Sequence, residues 1–172
     1  MEARIENLTE KKLIGDYSEM NFIENKTFQL WSGFMPRRKE IKNSVDSNLY
    51  SLEVFPVGHF DNFDPSNSFQ KWAGIEVSDF DEIPSDMKTL VIPDGLYAVF
   101  THKGPQSEAH KTYHSIFVEW LPNSQYTVDE RPHFAVMTEK YKKDDPDSEE
   151  DIWIPIKNKV YKYADRNYKV VI

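Results

Sequence analysis

The chemistry most readily suggested by this sequence is that of flat aromatic surfaces. Trp31, Tyr50, Trp72, Tyr97, Trp120, Phe134 and Trp153 are spread along the chain, each inside a run of apolar residues. Large rings give an adaptable apolar wall against which planar molecules stack, and core packing is the alternative for each taken singly. Glu76, between Ile75 and Val77, and Glu119 are the carboxylates that would join such a wall if turned inward, the solvent face being the equal alternative for Glu76. Glu76 or Glu119 beside Tyr97 is also the arrangement from which a general base for water would be built. Nucleophile elbows, phosphate-cradling loops and dinucleotide fingerprints are missing, and six glycines leave little room for one. An enzyme is therefore the less favoured reading.

The histidines, His59, His102, His110, His114 and His133, do not follow a metal-ligand spacing. His110 and His114 share a helix face, which surface histidines explain as well. The acidic stretch Asp144–Asp151 holds no large apolar residue and lacks the glycine of a calcium loop, so it reads as a solvated loop. With no cysteine, disulfides, thiolate-bound zinc, iron–sulfur clusters and thiol nucleophiles are excluded. No metal and no cofactor is expected.

The elements that would position these residues follow from periodicity. Residues 4–15 alternate as one half-buried strand. Phe28, Leu30, Trp31, Phe34 and Met35 form a helical stripe within residues 25–41, which Pro36 ends or kinks. Strand patterns follow at 49–55, 71–77, 88–92 and 96–101. A second stripe, Tyr113, Ile116, Phe117 and Trp120, precedes strands at 133–137 and 151–156. The segment Leu30-Trp31-x-x-Phe34-Met35-Pro36 overlays Ile116-Phe117-x-x-Trp120-Leu121-Pro122 without a gap, and Trp72 and Trp153 each lie in a later strand. The expectation is an α+β fold of two strand-helix-strand-strand units related by a pseudo-twofold axis. Their antiparallel sheet would hold a central ligand cleft. Repeat one covers about 1–80 and repeat two about 86–157, with an extension at 158–172 whose alternation suits an edge strand; all belong to one domain, 1–172.

A net charge of −8 argues against direct contact with nucleic acid. No apolar run approaches the roughly 20 residues that span a bilayer, and the first residues lack a signal peptide's hydrophobic stretch, so no membrane contact and a cytoplasmic location are expected.

Taken in order, Trp72-Ala73-Gly74-Ile75-Glu76-Val77, Pro93-Asp94-Gly95-Leu96-Tyr97-Ala98-Val99-Phe100, Glu119-Trp120-Leu121-Pro122 and Asp151-Ile152-Trp153-Ile154-Pro155-Ile156 resemble the GyrI-like, AraC-type effector-binding family. The resemblance covers nearly the whole chain. It implies a bacterial module that binds small, lipophilic, drug-like molecules, in some members as the ligand domain of multidrug-sensing transcription regulators and in others free-standing and integron-associated. Because the first family-like strand starts near Met1, no DNA-reading domain is expected ahead of it, and regulation would require another polypeptide or sequestration of the ligand. Where cation-sensing members resemble Pro-x-Phe-Glu, this chain has Pro132-His133-Phe134-Ala135, so Ala135 is expected at the position of the pocket glutamate. That departure weakens any preference for cations. Two alternatives carried by the resemblance are hydrolysis of electrophilic small molecules and, as in a gyrase inhibitor, capture of a basic protein partner by the acidic loop at 144–151.

Overall fold

Alternating apolar residues build a sheet with two differently furnished faces. The computed structural model describes residues 2–160. Its strands are β1 (Arg4–Leu8), β2 (Lys11–Met20), β3 (Leu49–Val54), β4 (Phe69–Val77), β5 (Lys88–Ile92), β6 (Gly95–Lys103), β7 (Tyr126–Val128), β8 (His133–Met137) and β9 (Glu149–Asn158). Eight lie in the order β1-β6-β9-β8-β3-β4-β2-β5, and β7 pairs with the far end of β9. Every pairing is antiparallel. The helices are α1 (Thr27–Arg37) and α2 (Ala109–His114), the latter continuing through a π-helical stretch, Ser115–Trp120, into the short turn α3 (Leu121–Asn123).

Outward from the central β3–β8 pair, the order is β4, β2, β5 on one side and β9, β6, β1 on the other. Trp72 on β4 and Trp153 on β9 thus occupy matching places one strand from the centre. Only Thr9–Glu10 join β1 to β2, and only Pro93–Asp94 join β5 to β6, yet each pair is six strand positions apart. Flat, that separation would be roughly 29 Å at about 4.8 Å per strand. A two-residue link reaches about 11 Å. The sheet must therefore curl until its ends face each other, and Leu8, Leu13, Ile92, Tyr97 and Val99 from both ends meet in one core cluster on the concave side.

Both helices cover the convex side. Leu30 and Phe34 of α1 pack on Ile14, Ala73, Ile75 and Val77, while Ile116 packs on Ala98, Phe100, Ile152, Ile154 and Ile156. The charged pair Lys71–Glu53 lies on this side too, with side chains only 11% and 16% exposed. Gly15, opposite Gly74, lets β2 approach β4 closely: a Cβ there would meet the Ala73 carbonyl oxygen at 2.1 Å.

Three expectations need correction. The strand expected over 4–15 is two strands belonging to opposite ends of the sheet. Leu8 and Leu13 have opposite parity, so one unbroken strand would turn them to opposite faces, and the break at Thr9–Glu10 lets both enter the concave core. Phe28 does not share the α1 stripe but is 75% exposed, because Leu30 and Phe34, with Trp31 beside them, fill the helix contact. Strand β7 has no counterpart among the expected elements. The edge strand expected within the C-terminal extension falls almost entirely outside the described residues. Among the described residues, no helix is long and apolar enough to cross a membrane.

Candidate functional site

Cross-strand register brings the predicted aromatic residues onto the concave face. Tyr17 stands opposite Trp72, Trp72 opposite Leu52, Leu52 opposite Phe134, and Phe134 opposite Trp153. Directly opposed residues share a face, so this is one row of side chains crossing five strands. The rings of Phe134 and Trp153 stack at 5.3 Å and 12°, and those of Tyr17 and Trp72 at 4.9 Å. Tyr97 closes on Phe134 at 5.4 Å and on Trp153 at 5.9 Å, both edge to face. The indole Nε1–H of Trp153 is buried with no acceptor.

Tyr50 lies opposite Gly74, which contributes no side chain, and its phenol reaches diagonally to Glu76 on the same strand. The Tyr50 hydroxyl donates to Glu76 Oε2 at 2.8 Å, and Lys11 Nζ donates to the same oxygen at 2.8 Å. Burial, then the Glu76 carboxylate, pushes the Tyr50 phenol far above its ordinary pKa, so it remains a donor. Burial likewise raises Tyr97, although the Arg131 guanidinium, 4.7 Å above its ring, works against the rise. Tyr97 donates to the Pro132 carbonyl at 3.1 Å. The concave face thus offers stacking rings, one carboxylate already holding a cation, and one unused N–H donor.

Six of the predicted residues come together here: Tyr50, Trp72, Glu76, Tyr97, Phe134 and Trp153. Three do not. Trp31 packs beside Leu30 and Phe34, and Trp120 stands edge-on to Phe100 at 5.1 Å, both on the convex side. Ala135 follows Phe134 on β8 and therefore points the other way, into the cluster with Ile116 and Ile152. A glutamate at 135 would lie under the helix rather than among the rings. Glu119 is exposed on the helical segment and is not beside Tyr97. Tyr17 and Lys11 were not singled out from sequence, although the alternation through Leu13, Gly15 and Tyr17 already places Tyr17 with Leu13.

A cavity of about 400 Å³ lies elsewhere, between the β3–β4 loop, the helix on β8 and β9, and the segment around Arg131. His59 and His133 line it, each over nine-tenths buried. Burial, reinforced by His59, lowers the His133 pKa to about 3; burial lowers His59 as well. Glu53, opposite His133 across the sheet, is turned to Lys71. The unfolded chain binds a proton at His133 below about pH 6.5, which the native ring refuses until about pH 3, so stability falls with pH through that window. Between pH 7 and 5 the native protein is expected to lose about 2 kcal/mol more than His133→Phe. Urea unfolding at both pH values measures this, and parallel losses would show that His133 is readily protonated in the folded state. Among the described residues, no group of three or more His, Asp or Glu is placed to hold a metal ion.

The comparisons agree with this architecture. The family model described as GyrI-like small molecule binding domain matches residues 1–157. The transcriptional regulator BrlR of Pseudomonas aeruginosa is 28% identical over 130 residues, which cover 74% of this chain but 45% of BrlR, so the chain spans about half of that relative. The crystal structure of the EcmrR C-terminal domain superposes with a TM-score of 0.68 at 14% identity, covering 92% of this chain and 98% of that one. SAV2435 bound to tetraphenylphosphonium superposes at 0.66 and 16% identity, covering 91% and 94%. These structural likenesses speak for the fold. With the sheet order, the aromatic concave face and a family match over nearly all its length, the chain belongs to the GyrI-like small molecule binding domain family.

Proposed function

We propose that the concave face binds a lipophilic aromatic molecule and that the domain acts as an effector-sensing or sequestering module. The observation that carries this is the meeting of Tyr50, Trp72, Tyr97, Phe134 and Trp153 around Glu76 on one face. SAV2435, a structural neighbour, holds tetraphenylphosphonium, an aromatic cation. In this chain, Glu76 is already engaged by Lys11 and Tyr50, so a cation must first displace the lysine. The buried, unpartnered Trp153 Nε1–H instead favours a neutral ligand carrying an acceptor oxygen.

Triphenylphosphine oxide and tetraphenylphosphonium share aromatic bulk and differ in charge and acceptor. Thermal-shift titration should give saturable stabilisation with the neutral oxide at lower concentration than with the cation. Trp153→Phe should weaken the oxide about three- to tenfold more than it weakens the cation, the worth of one hydrogen bond beyond the ring surface that both lose. No saturable shift with either compound would refute the proposed site. Tighter binding of the cation would overturn the charge preference.

A further inference from the structure

We infer that the cavity on the helical side is a second small-molecule site, built for an amino-substituted nitrogen heteroaromatic. Its floor is aromatic: the rings of Phe60, His133 and Phe117 lie within 20° of parallel, with centroids 5.4 to 6.2 Å apart. Its volume of about 400 Å³ fits a small planar molecule. His59 lines it, 6% exposed, and its Nε2 is buried without a hydrogen-bond partner. Such an atom is normally satisfied in a folded protein, so its orphaned state in a residue that lines the cavity points to a partner that a ligand would supply once the ring turns toward it. A neutral imidazole presents one donor and one acceptor nitrogen on diverging directions, so Nε2 meets a single group of the ligand, a ring N–H or a ring nitrogen according to the tautomer, and the carboxylates at the rim meet its amino group. At the rim, Asp129 engages both Arg131, at 2.8 Å, and Lys157, at 3.8 Å. Asp61 and Glu130 also line the cavity and make no ion pair among the described residues. Their charge suits a ligand carrying N–H donors and a partial positive charge, not an acid.

This site is independent of the concave face: His133 and Phe134 are neighbours on β8 and point to opposite sides of the sheet. The two sites are therefore separable by experiment. The probe is 2-aminobenzimidazole, titrated into the full chain while the imidazole and indole signals are followed by NMR. Binding at the inferred site should move the His59 and His133 resonances saturably and leave the Trp72 and Trp153 indole N–H signals in place. Excess triphenylphosphine oxide should not displace the probe. His59→Phe retains the ring and removes the nitrogens, and should weaken the probe at least tenfold with an unchanged melting temperature. Should that variant fail to fold, His59→Gln, which restores an acceptor and a donor, should bind with intermediate affinity. Stationary histidine signals, indole signals that move first, or undiminished binding by His59→Phe would each overturn the inference. None of these outcomes bears on whether the concave face binds the phosphine oxide.

Discussion

Phe134→Ala is expected to lower the unfolding free energy by about 3–5 kcal/mol, the usual loss when a buried Phe is cut to Ala in a core that cannot close over the gap. Phe134 is 1% exposed and stands at the middle of the concave row, stacked on Trp153 and in contact with Tyr50 and Tyr97. β8 is held in register by β3 on one side and β9 on the other, so the neighbouring rings have little freedom to collapse inward. Urea denaturation read by tryptophan fluorescence measures the loss as a lower midpoint at constant slope. A change below about 1 kcal/mol would show that the rings rearrange readily and that the face is a soft wall rather than a packed core.

Lys71→Met is expected to cost about as much, roughly 3–5 kcal/mol, for a different reason. Lys71 and Glu53 form an ion pair beneath the helices, and removing the lysine leaves a carboxylate in a poorly solvated place. The loss spreads to Glu150, whose carboxyl is raised by burial and is held down in part by His102 and Lys71. The double variant Lys71→Met/Glu53→Leu should recover most of the stability, because an apolar pair of similar volume carries no desolvation penalty. A single variant close to wild type would mean that water reaches Glu53. A double variant as weak as the single would place the cost in packing instead of charge.

These two residues also show what the sequence makes legible. Alternation located β5 and β8 at their observed bounds and β4 and β9 within two residues, and strand parity alone assigns Trp72 and Glu76, or Phe134 and Trp153, to a face once the register is known. The same parity rule shows that Phe134 and Ala135 cannot both line one side of β8, a constraint that a motif comparison overlooks. Trp31 and Trp120 were harder to place. A helical stripe says that a helix buries one side, but not which side of the sheet receives it. The break at Thr9–Glu10 is invisible to local propensity because the pressure for it comes from β6, in the middle of the chain, with which β1 pairs. The cavity around His59 and His133 was equally hidden, since a long loop between β3 and β4 and a strand much later in sequence must meet to form it.

The two short links, Thr9–Glu10 and Pro93–Asp94, bear on how the proposed ligand would enter the curled sheet. Each strap ties one rim of the sheet to the other, so the walls cannot swing apart like the jaws of a two-domain receptor. Entry of the ligand proposed for this face would therefore rest on rotation of half-buried side chains such as Tyr17 and Trp153, a side-chain event of small amplitude rather than a hinge motion. A portal of this kind would admit guests by flatness and girth before any recognition inside begins, and a host so strapped would yield by turning its rings while its backbone holds still.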